Sequence, residues 1–96
     1  MYMLRVPADI ASLISNLHPQ IKSSIRLALN TILHDPNSGK ALKDELAGLR
    51  SYRVKRYRVI YRISSAKREL EIIAIGPRKN IYKETFRIIS RKEKKK

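Results

Sequence analysis

The sequence predicts a single α+β domain: a small, mostly antiparallel sheet with an N-terminal helical hairpin packed on one face and a short C-terminal helix. Two observations carry this reading. Apolar residues recur at helical spacing over 10–33, alternate with polar ones over 52–63, and return to helical spacing after Lys79. Prolines and clusters of turn formers stand where one period gives way to the next. At 96 residues the chain suffices for one domain, which buries roughly 60–70% of its unfolded surface.

The elements follow in order. Met1 to Val6 is an apolar-basic run ended by Pro7 and reads as a first strand. Ile10, Leu13, Ile14 and Leu17 form the stripe of a first helix. His18-Pro19 breaks it, because the residue before proline is pushed out of the helical region. Pro19 then suits the first turn of a second helix, where its missing N–H costs nothing. Ile21, Ile25, Leu29, Ile32 and Leu33 give that helix its stripe, and Asp35-Pro36-Asn37-Ser38-Gly39 ends it. After a polar passage through Lys43, Asp44 and Glu45, the residues Tyr52, Val54, Tyr57, Val59, Tyr61 and Ile63 alternate with Arg53, Lys55, Arg58 and Arg62. This is strand chemistry, with one oily and one basic face. Ser64 to Lys67 reads as a hairpin turn, and the apolar run Leu70 to Ile75 as a central strand covered on both faces. Gly76-Pro77 stops it, and Tyr82, Phe86 and Ile89 mark the last helix. The domain is expected to span 1–90, with 91–96 a basic, disordered tail.

Charge narrows the function classes. The chain carries 22 Lys and Arg against 8 Asp and Glu, a net +14. Residues 1–50 hold 6 basic and 4 acidic side chains, residues 51–96 hold 16 and 4. A field this dense in one half attracts polyanions and opposes compaction, so it asks for an anionic partner. With no cysteine, a disulfide scaffold, a zinc ribbon and a thiol enzyme are excluded. No run approaches the length of a membrane span, and the N-terminus does not read as a signal peptide. The expected setting is the cytoplasm, with no membrane partner.

The common catalytic sets are missing. His18 and His34 sit at helix ends with no metal-pair spacing and read as capping or solvated side chains. Glu69 and Glu71, two apart beside Arg68, read as charge balance, and no glycine-rich phosphate loop or GxSxG occurs. No cofactor or metal is expected.

The informative stretches are GLRSYRVKRYRVIYRI at 48–63 and IGPRKNIY at 75–82. Preceded by DPNSGKAL at 35–42 and Leu46-Ala47-Gly48, this ordered set resembles the RelE/ParE superfamily of toxins from type II toxin–antitoxin operons. The resemblance covers the chain apart from its basic end. It implies the RelE-like fold and a cognate antitoxin as partner. RelE-like members of that superfamily cut mRNA in the ribosomal A site without a metal, by attack of the ribose 2′-hydroxyl on the neighbouring phosphate. ParE-like members share the fold and poison DNA gyrase without chemistry of their own. The RelE-like branch is favoured here, with ribosome and mRNA as targets and gyrase as the alternative.

Such cleavage needs cations around the phosphate, a proton acceptor and a flat side chain for the unstacked base. The resemblance assigns Arg58 and Arg78 to the phosphate and Tyr82 to the C-terminal tyrosine of the family. Arg53 and Lys55 fall near its pair of basic strand residues, and Lys55 is a candidate base where a guanidinium cannot serve. Two alignments stay open. Without gaps, Lys55 lies on the turn position that is usually glycine and Ser51 on the first basic position. With a shorter hairpin, Arg53 and Lys55 are both members. Each residue also has a plainer reading: Arg58 and Arg62 as solvated strand arginines, Arg78 as a strand cap, Tyr82 as core of the last helix. Tyr57 and Tyr61 share the oily face with Val59 and Ile63 and read as core.

Overall fold

The computed structural model describes residues 2–94. Strand β1 (Met3–Arg5) leads into helices α1 (Ala8–Ser15) and α2 (Pro19–His34). A short strand β2 (Lys40–Ala41) precedes β3 (Leu49–Val54), β4 (Tyr57–Ser64) and β5 (Glu69–Pro77), and helix α3 (Ile81–Lys94) follows. The sheet order is β1-β5-β4-β3-β2, antiparallel except for β1, which runs parallel to β5. The expected α+β architecture is therefore present.

Helices cover both faces of the sheet. On one, Ile10 and Ile14 of α1 and Ile25, Leu29 and Ile32 of α2 pack on Val54, Val59, Tyr61, Leu70, Ile72 and Ile75. On the other, Ile81 of α3 packs on Leu49, Ile60, Ile73 and Ala74. The face of β4 read as basic is thus basic only at Arg58 and Arg62, with the fully buried Ile60 between them. The run Leu70 to Ile75 serves both layers through a bulge: Ile60 pairs with Ala74 but Tyr61 with Ile72, leaving Ile73 as the extra residue. Ile73 and Ala74 consequently belong to the α3 layer, while Ile72 and Ile75 belong to the α1/α2 layer.

His18 caps α2 as expected, its Nδ1 accepting from the Gln20 N–H at 3.2 Å with Pro19 next in line. His34 sits in the last turn with its Nδ1 2.8 Å from the Asn30 carbonyl oxygen. α3 departs from its expected stripe. Ile81 and Thr85 are fully buried, whereas Phe86 is 46% exposed. The Thr85 hydroxyl donates to the Ile81 carbonyl at 2.7 Å, which satisfies a polar side chain inside the core. α3 also carries residues 91–94 of the stretch expected to be a disordered tail, and the final two residues lie outside those described. Among the described residues, no helix is long and apolar enough to cross a membrane.

Candidate functional site

The β3–β4 hairpin closes with two residues, Lys55 and Arg56, between the paired Val54 and Tyr57. Lys55 has φ +55°, in the left-handed region. It therefore stands in the turn, not on the strand where alternation with Tyr52 and Val54 suggested. Of the two alignments left open, the structure agrees with the one that puts Lys55 on the turn position.

Side chains of a strand alternate, so Ser51 and Arg53 share the α3 side of β3. Arg53 is the direct cross-strand partner of Arg58, and Arg58 in turn lies opposite Gly76 of β5. A Cβ on Gly76 would come within 3.1 Å of Ile81 Cδ1, so the glycine lets α3 start close above this part of the sheet. Arg58 is half-buried, and its Nε is shielded from solvent with no hydrogen-bond partner.

After Pro77 the chain folds back over the turn. The Arg78 N–H donates to the Arg56 carbonyl at 2.9 Å, tying the β5–α3 loop to the tip of the hairpin. Asn80 then accepts the Glu84 N–H at 3.1 Å, opening α3 and setting Tyr82 in its first turn. The hydroxyls of Tyr82 and Ser51 are 3.2 Å apart, which brings the tyrosine one pleat along β3 from Arg53.

Between turn and loop lies an open groove of about 470 Å³, lined by Arg53, Lys55, Arg56, Pro77, Arg78 and Lys79. Five of its six lining residues are cations and none is an acid. Among the described residues, no group of His and carboxylate side chains is disposed to hold a metal ion.

The five residues predicted for the site therefore gather at one end of the molecule. Arg53, Lys55 and Arg78 line the groove, Arg58 lies beside Arg53, and Tyr82 flanks them from α3. Arg62, two residues beyond Ile60, stays outside: its guanidinium bonds the Glu71 carboxylate at 2.6 Å. Sequence reasoning missed Arg56 and Lys79. Their signal was adjacency, since each directly follows a candidate in a turn, where the strand period no longer decides which side chains share a face.

Comparison with known proteins agrees with the fold. The profile of the ParE-like toxins of type II bacterial toxin–antitoxin systems matches residues 5–85. Among solved structures, the RelBE2 toxin–antitoxin complex of Mycobacterium tuberculosis is 28% identical with a TM-score of 0.72, covering 80% of this chain and 98% of that one. A mutant of the E. coli toxin RelE in the free state is 16% identical with a TM-score of 0.74, covering 94% and 96%. A YoeB/ParE toxin from Agrobacterium tumefaciens is 22% identical with a TM-score of 0.68, covering 78% and 96%. A search of curated protein sequences finds no match. With its profile spanning most of the sequence, the chain belongs to the ParE-like toxins of type II bacterial toxin–antitoxin systems.

Proposed function

We propose that this toxin blocks translation as a metal-independent endoribonuclease that cuts mRNA in the ribosomal A site. The observation that carries the reading is the cation-lined groove, with Arg58, whose buried Nε has no partner, paired across the hairpin with the lining residue Arg53. A phosphate is the kind of anion that such a cluster of guanidinium and ammonium groups attracts. In the reaction the 2′-hydroxyl oxygen forms a bond to phosphorus while the bond from phosphorus to the 5′-oxygen breaks. Arg53, Arg58 and Arg78 neutralise the charge that builds on the phosphate oxygens. The neutral amine form of Lys55 takes the 2′-hydroxyl proton and becomes the ammonium, the departing 5′-oxygen is protonated by solvent, and Tyr82 holds the adjacent base by stacking.

The M. tuberculosis, E. coli and Pyrococcus horikoshii relatives are toxins seen with their antitoxins. By extension this chain pairs with an antitoxin of its own in the cytoplasm, drawn to the basic half by charge complementarity.

The test is primer extension on an mRNA translated in a purified system. Cuts within the A-site codon that vanish without ribosomes, and that are lost when Arg78 and Tyr82 are replaced by alanine, are the expected result. A second reading, a gyrase poison, is favoured by one feature: with Lys55 in the turn, Arg53 is the sole basic residue on the α3 side of β3. An intact message together with inhibited DNA supercoiling would establish that reading and overturn the first.

A further inference from the structure

The outward face of α3 carries a row of cations that packing does not require. Lys83, Arg87 and Arg91 are exposed and follow one another at four-residue intervals, opposite the buried Ile81 and Thr85. With a rise of about 1.5 Å per residue they stand about 6 Å apart, close to the separation of neighbouring phosphates along a nucleic-acid strand. Lys79, in the turn just before α3, lines the groove, so the row's N-terminal end lies next to the candidate site. Phe86 lies one helical turn beyond Tyr82 on the same flank and is 46% exposed. Among the described side chains, the acid exposed on this side of the helix is Glu84.

We propose that this face of α3 is a track for single-stranded RNA leading out of the groove, with Lys83, Arg87 and Arg91 on successive phosphates and Phe86 stacked on a base. The choice of RNA rests on the ribonuclease reading; the track itself rests on the placement of these side chains. Regularly spaced cations beside a flat, exposed aromatic are the combination that binds single strands with little regard to sequence. An amphipathic partner helix would instead look for several apolar anchors at helical spacing. On this flank Tyr82 and Ile89 are half-buried against the sheet, and the exposed neighbours of Phe86 on α3 are Lys83 and Arg87.

The test uses the full chain, without ribosomes, and a fluorescently labelled single-stranded RNA dodecamer of mixed sequence titrated over a range of salt. Replacing the three cations together (Lys83→Gln, Arg87→Gln, Arg91→Gln) should flatten the dependence of log affinity on log salt by about two units. Phe86→Ala should weaken binding about fivefold or more and leave that slope unchanged. All four side chains are exposed, and melting curves confirm that the variants fold. An unchanged slope in the triple variant overturns the proposal. So does a reduced slope with Phe86→Ala binding as tightly as wild type, which would make the row a general polyanion surface. Loss of binding to an acidic amphipathic peptide in Phe86→Ala, with RNA binding intact, assigns the face to a protein partner and also overturns it. Cleavage on ribosomes is scored separately: an uncut message with the slope and stacking effects present rejects the ribonuclease reading alone.

Discussion

Arg53 and Arg58 face each other directly across the β3–β4 hairpin, two guanidinium side chains on the same side of the sheet with no acid in the groove beside them. Like charges at directly opposed positions oppose strand pairing, by roughly 0.2–1 kcal/mol in ordinary sheets. Arg53→Gln should therefore raise thermal stability slightly at low ionic strength, and the gain should disappear near ~1 M salt, where the screening length is about 3 Å. Melting the pair of proteins at both ionic strengths decides it, and equal melting temperatures at low salt would reject the repulsion. Arg58→Met keeps the stem and removes the partnerless buried nitrogen. Stability should hold or rise, while A-site cleavage should fall about 10²–10³-fold, as for the loss of one charge-stabilising donor. A variant that unfolds more readily would mean that Arg58 serves packing instead.

Lys55 occupies a left-handed conformation at φ +55° without being glycine. A non-glycine residue there costs about 1–2 kcal/mol, part of which glycine returns through its greater freedom in the unfolded chain. Lys55→Gly is expected to stabilise the fold by about 0.5–1 kcal/mol, a shift of several degrees for a domain of this size. Cleavage should drop at the same time, because the amine proposed to accept the 2′-hydroxyl proton is lost from the groove. Lys55→Asn separates the effects, since asparagine tolerates the conformation and lacks the charge. A glycine variant that melts lower than wild type would show that the turn is not strained.

The sequence announced the layers better than their details. The two helices were legible because their stripes are apolar and their break is a proline, and the central strand because its apolar run is too oily for one face. The bulge at Ile73 was not, since a run apolar at every position gives no phase from which an inserted residue could be detected. α3 misled for a different reason. Its buried face includes Thr85, whose hydroxyl bonds back to Ile81, and omits Phe86, so a search for apolar spacing selects the neighbouring stripe. Strand β2 is two residues long, below what any period can register. Within the site, Arg53 and Arg58 were found through the family resemblance, whereas Arg56 and Lys79 belong to turns, where only three-dimensional closure brings side chains together.

Tyr61 illustrates a core tyrosine whose hydroxyl holds a loop. It is fully buried, donates to the Pro36 carbonyl at 2.6 Å and accepts the Gly39 N–H at 3.0 Å. Tyr61→Phe leaves both backbone groups short of a partner and should cost about 1–3 kcal/mol. Gly39→Ala should cost a similar amount, about 1–3 kcal/mol of overpacking, because its Cβ would lie 2.6 Å from the Tyr61 hydroxyl oxygen. Denaturant titration measures both. Because both changes act on this one contact, the double variant should lose less than the sum of the single losses. Strict additivity would show that the two residues act independently.

Tyr82 offers two chemistries, a flat ring for stacking and a hydroxyl 3.2 Å from that of Ser51. If stacking is its contribution, Tyr82→Phe retains cleavage within a few-fold while Tyr82→Ala loses about an order of magnitude or more, in line with about 1–3 kcal/mol for a base on an aromatic. Ser51→Ala should then be mild, because the half-buried Tyr82 hydroxyl can turn to water. If Tyr82→Phe instead falls as far as Tyr82→Ala, the hydroxyl takes part in moving the proton and Lys55 is displaced as the base. Single-turnover cleavage on programmed ribosomes reads the chemical step for all three variants. A ring that matters with a hydroxyl that does not would leave proton transfer to the lysine held in the strained turn.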